Sequence, residues 1–168
     1  MKPFNKKQFY LIGILFILIA SFFIVRKIKK NYSPQIKLSS FVLKDLNGKD
    51  IALTSFAGKP LVINFWGTWC GPCRQEFPDF EKVKEKYATQ VNFIMVSDEQ
   101  EDKIEKFRIE NNFTFLFAQS PITFDKLGIT SVPVTYLYDA KGNLYAKKKE
   151  TLSEKQLDEL VAELNNKK

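Results

Sequence analysis

The chain has 168 residues, 45% hydrophobic and 14% aromatic, which leaves room for one globular domain with a real core and little else. Its formal charge is +7, yet Lys2, Lys6, Lys7, Arg26, Lys27, Lys29 and Lys30 supply seven of its 26 cations, and the remainder balances 19 basic against 19 acidic residues. That distribution argues against nucleic-acid binding, and two cysteines without any histidine make a poor zinc site, so no metal or cofactor is expected.

Phe9 to Val25 is an apolar run of seventeen residues with basic residues on both sides. This is near the lower limit for a helix crossing ~30 Å of hydrocarbon. A cleaved signal peptide needs small residues at its cleavage site, and Ser21-Phe22-Phe23-Ile24-Val25-Arg26 offers no convincing one. A lipid-modified cysteine is excluded, since both cysteines lie far downstream. The run therefore reads as an uncleaved single-pass anchor (9–25) after a short cytosolic segment (1–8), followed by a linker (26–37) and a domain (38–168). The flanking charges nearly tie on orientation. The two cysteines stand close together, at 70 and 73, with no spare thiols, which suits an oxidising exterior and places the domain on the periplasmic or extracytoplasmic side of the cytoplasmic membrane.

Further along, Phe41-Val42-Leu43 and Ile51-Ala52-Leu53 read as strands around Asn47-Gly48, a hairpin turn signal. Leu61 to Trp66 is a buried central strand, and a helix runs from about Cys70 to Tyr87. Val91 to Val96 is a near-continuous apolar strand, as in parallel sheets covered on both faces. Asp98 with Glu101 three residues on reads as the cap of a helix that places Ile104 and Phe107 inward and ends near Asn111-Asn112. Phe115 to Ala118 is a short strand, and Phe124 to Gly128 a helical turn ended by glycine. Val134 to Tyr138 and Leu144 to Lys147 form an antiparallel pair around a turn at 139–143. Ser153 and Gln156 cap a last helix with Leu157, Leu160, Val161 and Leu164 on one stripe. Strands alternating with helices, then a closing hairpin and helix, make an α/β fold with a central sheet between helices.

The chemistry concentrates in Trp69-Cys70-Gly71-Pro72-Cys73, which holds both cysteines. A dithiol where a strand ends and a helix begins is placed to trade electrons with other dithiols. Helix-end amides and the helix dipole favour a thiolate at Cys70, the expected exposed attacker; Cys73, one turn further in, is the expected resolver. Gly71 permits close approach, and Pro72 lacks an amide that the first turn leaves unpaired anyway. A merely stabilising disulfide is the alternative, but so short a loop removes little chain entropy.

Glu76 shares a helical stripe with Cys73, Phe80, Val83 and Tyr87. On an apolar face its pKa rises, which fits it to exchange protons with the Cys73 sulfur. The alternative is a charge at the stripe's edge, tilted into water. Val132-Pro133 sits at the start of a strand, where a cis peptide would leave the Val132 backbone free for an extended peptide; the residues alone favour an ordinary trans bond. Trp66 reads as core. Trp69, beside the attacker, shapes the docking surface or packs half-buried.

The run Asn64-Phe65-Trp66-Gly67-Thr68-Trp69-Cys70-Gly71-Pro72-Cys73, with Glu76, Pro78 and Val132-Pro133-Val134-Thr135-Tyr136-Leu137-Tyr138-Asp139, resembles the TlpA/ResA-type thioredoxin-like proteins. These are membrane-anchored bacterial thiol–disulfide oxidoreductases. The resemblance spans about residues 38 to 165. It implies a thioredoxin fold with an added N-terminal β-hairpin, a redox-active Cys70–Cys73 disulfide, a cis peptide before Pro133 and a proton-handling Glu76. Pro78 matches the family's helix kink. Asn64 stands where thioredoxin has a buried aspartate, which leaves proton transfer to Glu76.

The expected function is therefore a membrane-tethered thiol–disulfide reductase. Its partners would be thiols and disulfides of exported proteins, apocytochrome c among the candidates, and a membrane thiol reductase as electron donor. Two other classes stay open at this point: a peroxiredoxin-like peroxide reductase, and a non-catalytic tethered binding module.

Overall fold

A computed structural model of the chain describes residues 41–166, together with Leu38 and five helical positions, Gly13, Phe16, Ile19, Ser21 and Phe22. The predicted segment 1–8, anchor 9–25 and linker 26–37 otherwise lie outside the described residues. Among the described residues, no helix is long and apolar enough to cross a membrane.

Seven strands form one mixed sheet: β1 (Leu43–Lys44), β2 (Asp50–Ile51), β3 (Leu61–Phe65), β4 (Asn92–Ser97), β5 (Leu116–Gln119), β6 (Val134–Tyr138) and β7 (Leu144–Lys148). Their order is β2-β1-β5-β4-β3-β6-β7. Pairs β3–β4 and β4–β5 are parallel, while β3–β6, β6–β7, β1–β2 and β1–β5 are antiparallel. Three α-helices accompany the sheet: α1 (Gly71–Lys86), α2 (Glu101–Asn111) and α3 (Glu154–Asn165).

Every residue of β3 and β6 is buried, as central strands require. Alternation sorts them onto two faces. Val62, Trp66, Phe93, Met95, Phe117 and Leu137 join a core built from all three helices, including Phe77, Phe80, Ile104, Phe107, Leu157 and Val161. Leu61, Ile63, Phe65, Ile94, Val96, Tyr136 and Tyr138 form the second core, which contains no residue of α1, α2 or α3. It is closed by Phe41, by Leu53 of a short 3₁₀ turn (Leu53–Phe56), and by Phe124 and Ile129.

Among the described residues, the helices that flank the sheet are α-helices on one face and the 3₁₀ turn on the other, and the winding explains why. The crossovers β3–α1–β4 and β4–α2–β5 step in the same direction across the sheet. Parallel crossovers are right-handed, so both must lay their helices on the same face. The chain reverses only after β5, and the 120–133 segment makes that return with turns. Gly128, at φ 72°, ends one of them, with Ile129 N–H bonded to Phe124 O at 2.8 Å.

Local differences also have identifiable causes. The N-terminal hairpin is present but its strands are shorter than expected and lie nearer the turn, where the Asp45 carboxylate accepts N–H from both Asn47 and Lys49 at 2.9 Å. Leu53 belongs to the 3₁₀ turn rather than to a strand. Helix α2 starts at Glu101 with Gln100 as its N-cap. Asp98, the expected cap, instead accepts the Phe124 N–H at 2.9 Å and ties down the return loop. The α3 capping box forms as expected between Ser153 and Gln156.

Phe77 on α1 joins the helices to the sheet. It is fully buried, and its ring meets Trp66 at 4.8 Å, Phe113 at 5.4 Å and Phe107 at 5.7 Å between centroids. Phe77→Ala is expected to lower unfolding free energy by ~3–5 kcal/mol, measured by denaturant titration of the oxidised protein.

Candidate active site

Strand β3 delivers the chain to the site. Beyond its last residue the Trp66 N–H still bonds to Val96 O at 3.0 Å, so the chain leaves the sheet only at Gly67. The Cys70 N–H returns to Gly67 O at 3.0 Å, closing a tight turn. Cys70 then becomes the N-cap of α1 in extended backbone (φ −85°, ψ 102°), and its sulfur accepts the Cys73 N–H at 3.2 Å. Arg74 N–H bonds to Cys70 O at 3.2 Å, and Pro72 lies in the first turn. In the reduced protein the Cys73 N–H and the helix dipole would stabilise negative charge on the Cys70 sulfur.

Cys70 and Cys73 form a disulfide, with Cα atoms 5.3 Å apart. Cys73 is fully buried, as a resolver requires, but Cys70 is only 4% exposed, less than an open attacker would show. Its side chain joins the helix-side core, and the turn before it is itself held in place. The indole of Trp69, itself 69% exposed, lies over Gly67, where a Cβ would stand 2.7 Å from Trp69 Nε1. Thr68 is fixed by Glu99, whose carboxylate accepts the Thr68 N–H at 2.6 Å and its hydroxyl at 2.8 Å. The solvent-facing parts of the motif are thus Trp69 and Pro72, with Gly71 half-buried.

Glu76, one turn beyond Cys73, is 1% exposed. Oε1 accepts from Asn64 Nδ2 at 2.8 Å, and Oε2 accepts the backbone N–H of Leu152 at 3.0 Å. Asn64 Nδ2 also donates to Thr135 Oγ1 at 3.0 Å. Residues 64 and 135 are direct partners in the β3–β6 ladder, so the two polar side chains leave the same face of the sheet toward α1. Burial pushes the Glu76 carboxyl up from 4.5 to about 7, and the Leu152 and Asn64 donors hold it back from rising further. Glu76 is therefore inside the core rather than tilted into water.

The Val132–Pro133 peptide is cis. Pro133 is buried and Val132 half-buried. Because Phe65 pairs with Val134, the 132–133 backbone lies at the same end of the sheet as the turn that carries Cys70. Sequence reasoning missed Thr135, Glu99 and the Leu152 amide. Thr135 stood in the family motif without a role. The other two carry no local signal, since they act across 31 and 76 residues.

The chain is similar in sequence and fold to known proteins. The family model described as AhpC/TSA family matches residues 34–147. The thioredoxin-like protein YneN of Bacillus subtilis (strain 168) is 36% identical over 129 residues, covering 71% of this chain and 73% of that protein. The thiol-disulfide oxidoreductase ResA of the same organism is 28% identical over 166 residues, covering 94% of this chain and 93% of ResA. Among solved structures, MTB dsbF, described in mixed oxidized and reduced forms, superposes with a TM-score of 0.64 at 28% identity, covering 74% of this chain and 94% of dsbF. With a thioredoxin-like sheet, a Cys-Gly-Pro-Cys pair capping α1 and these relatives, the chain belongs to the AhpC/TSA thioredoxin-like family, among its ResA-type thiol–disulfide oxidoreductases.

Proposed function

We propose that the protein is a membrane-tethered reductase of disulfides in exported proteins, working through Cys70, Cys73 and Glu76. The observation that carries this is the buried Glu76 carboxyl one turn beyond Cys73, held by neutral donors and by no cation among the described residues. The apolar run 9–25 with its basic flanks supports the tether and the extracytoplasmic placement of the domain. Apocytochrome c is one client class that the ResA-type resemblance supports.

In the reduced enzyme, the Cys70 thiolate attacks one sulfur of a substrate disulfide. A mixed disulfide forms, and the other substrate sulfur leaves as a thiolate that takes a proton from water. Cys73 then gives its proton to the Glu76 carboxylate and attacks the Cys70 sulfur. The Cys70–Cys73 bond forms, the second substrate sulfur departs as a thiolate that takes a proton from water, and two electrons have passed to the substrate. A membrane thiol reductase returns the pair to the dithiol. A carboxyl pushed up to about 7 suits this exchange, because both of its protonation states are populated near neutral pH. Val132 and Pro133, with the exposed Trp69, border the place where an extended substrate would lie.

Cys73→Ala is expected to accumulate Cys70-linked mixed disulfides with partner proteins, and Cys70→Ala to form none, read by non-reducing gels and mass spectrometry. Both should lose insulin reduction, while neither they nor the wild type turn over hydrogen peroxide efficiently. Adducts through Cys73 instead, or none at all, would reverse the assignment.

Glu76→Gln is expected to slow the resolving step about a hundredfold at pH 7, measured by stopped-flow tryptophan fluorescence. An unchanged rate would remove Glu76 from the chemistry. The same carboxyl links stability to pH. The folded protein holds this proton more tightly than the unfolded chain, so its contribution is full below 4.5 and is lost as pH rises through about 7. Unfolding free energy of the oxidised protein should fall by a few kcal/mol across that window, and Glu76→Gln should flatten the profile.

A further inference from the structure

Two carboxylates on α1 hold the same short strap of chain, the residues leading into α3. Leu152 N–H donates to Glu76 Oε2 and Glu154 N–H to Asp79 Oδ2, each at 3.0 Å. Ser153 between them is extended (φ −73°, ψ 161°), so donors two residues apart point the same way, toward α1. The intervening Ser153 N–H goes to Gln156 Oε1 at 3.0 Å. The strap is anchored inward by the buried Leu152 side chain and outward by Asp79, whose side chain is one-third exposed. Asp79 also lies 3.5 Å from Lys82, which reaches Glu154 at 2.9 Å.

We propose that Asp79 is a positioning residue for the dithiol chemistry: by pinning the Glu154 N–H it keeps the Leu152 N–H seated on the Glu76 carboxyl. This rests on the reading of Glu76 as the proton partner of Cys73. The Leu152 donor favours the ionised carboxyl and works against burial. Loosening the strap removes that donor, so Glu76 binds its proton more tightly. The negative charge of Asp79, one turn away, favours the protonated form, so deleting that charge alone acts in the opposite direction. The groups facing Glu76 are Asn64 from β3, Thr135 from β6 and the Leu152 peptide from the strap, none of which titrates. On α1, Cys73 precedes it by one turn and Asp79 follows by one turn. The charged groups around Asp79 are Lys82 and Glu154.

Opposite signs make the proposal testable with three variants of the full chain. Asp79→Asn removes the charge but keeps an oxygen that can accept the Glu154 N–H. Asp79→Ala removes both. Glu154→Pro deletes the donor while keeping Asp79, at the first helical position, where a missing N–H is tolerated. The measurements are NMR titration of the Glu76 carboxyl carbon and hydrogen exchange of the Leu152 amide, both in the oxidised protein, where neither cysteine titrates.

Asp79→Ala and Glu154→Pro are expected to tighten proton binding at Glu76 about threefold or more and to speed Leu152 exchange about tenfold. Asp79→Asn should leave exchange unchanged and bind the proton equally or more weakly. The proposal is overturned if Asp79→Ala and Asp79→Asn shift the titration downward together, if Glu154→Pro titrates like the wild type, or if Leu152 protection is the same in all. These readouts need no substrate. They succeed or fail independently of whether Glu76→Gln impairs turnover.

Discussion

Placing a carboxyl in a protein core without a cation obliges the fold to bring neutral donors to it, and here they come from distant parts of the chain. Asn64 is twelve residues before Glu76, and Leu152 is 76 residues after it. Thr135 stands behind Asn64, 71 residues away along the chain. The site therefore exists only when β3, β6, α1 and the strap before α3 have all assembled. An uncompensated buried charge costs several kcal/mol, so the donors and the packing must be read together. Burial raises the proton affinity of Glu76, and the donors limit the rise. The balance leaves the carboxyl able to gain or lose a proton near neutral pH, which is the property the proposed thiol chemistry would use.

The winding of the sheet supplies the rest of the arrangement. Two crossovers in one direction put α1 and α2 on one face, with α3 joining them there. The polar residues of β3 and β6 that face α1 thus lie under a thick helical layer. Among the described residues, the opposite face is covered by Phe41, the 3₁₀ turn and the return loop. Trp66 and Phe77, packed at 4.8 Å, bind the redox helix to the strand that carries its turn. Movement of α1 relative to β3 would disturb the Cys70 cap and the Asn64–Glu76 bond together.

Much of this was legible in the residue pattern, because the signals were local. Continuous apolar runs marked β3, β4 and β6, and Ser153 with Gln156 marked the start of α3. The spacing of Cys73 and Glu76 put both on one helical stripe. What could not be read depended on competition between distant partners. Asp98 has good capping chemistry, but the Phe124 amide takes its carboxylate and Gln100 occupies the cap position. Glu99 has no sequence neighbour that marks it; only the fold brings Thr68 to it. The Leu152 amide is invisible in sequence, since every residue except proline has one. The low exposure of Cys70, which belongs to the helix-side core, likewise had no local signal.

The margins of the sheet have a consequence of their own. One margin, β2, is two residues long; the other, β7, ends in Lys147 and Lys148, with Lys149 just beyond. Neither is a good template for another polypeptide: the first offers too few hydrogen bonds, and the second repels its own kind by clustered charge. Both margins are thereby guarded against zipping onto another open backbone, a second copy of this chain included.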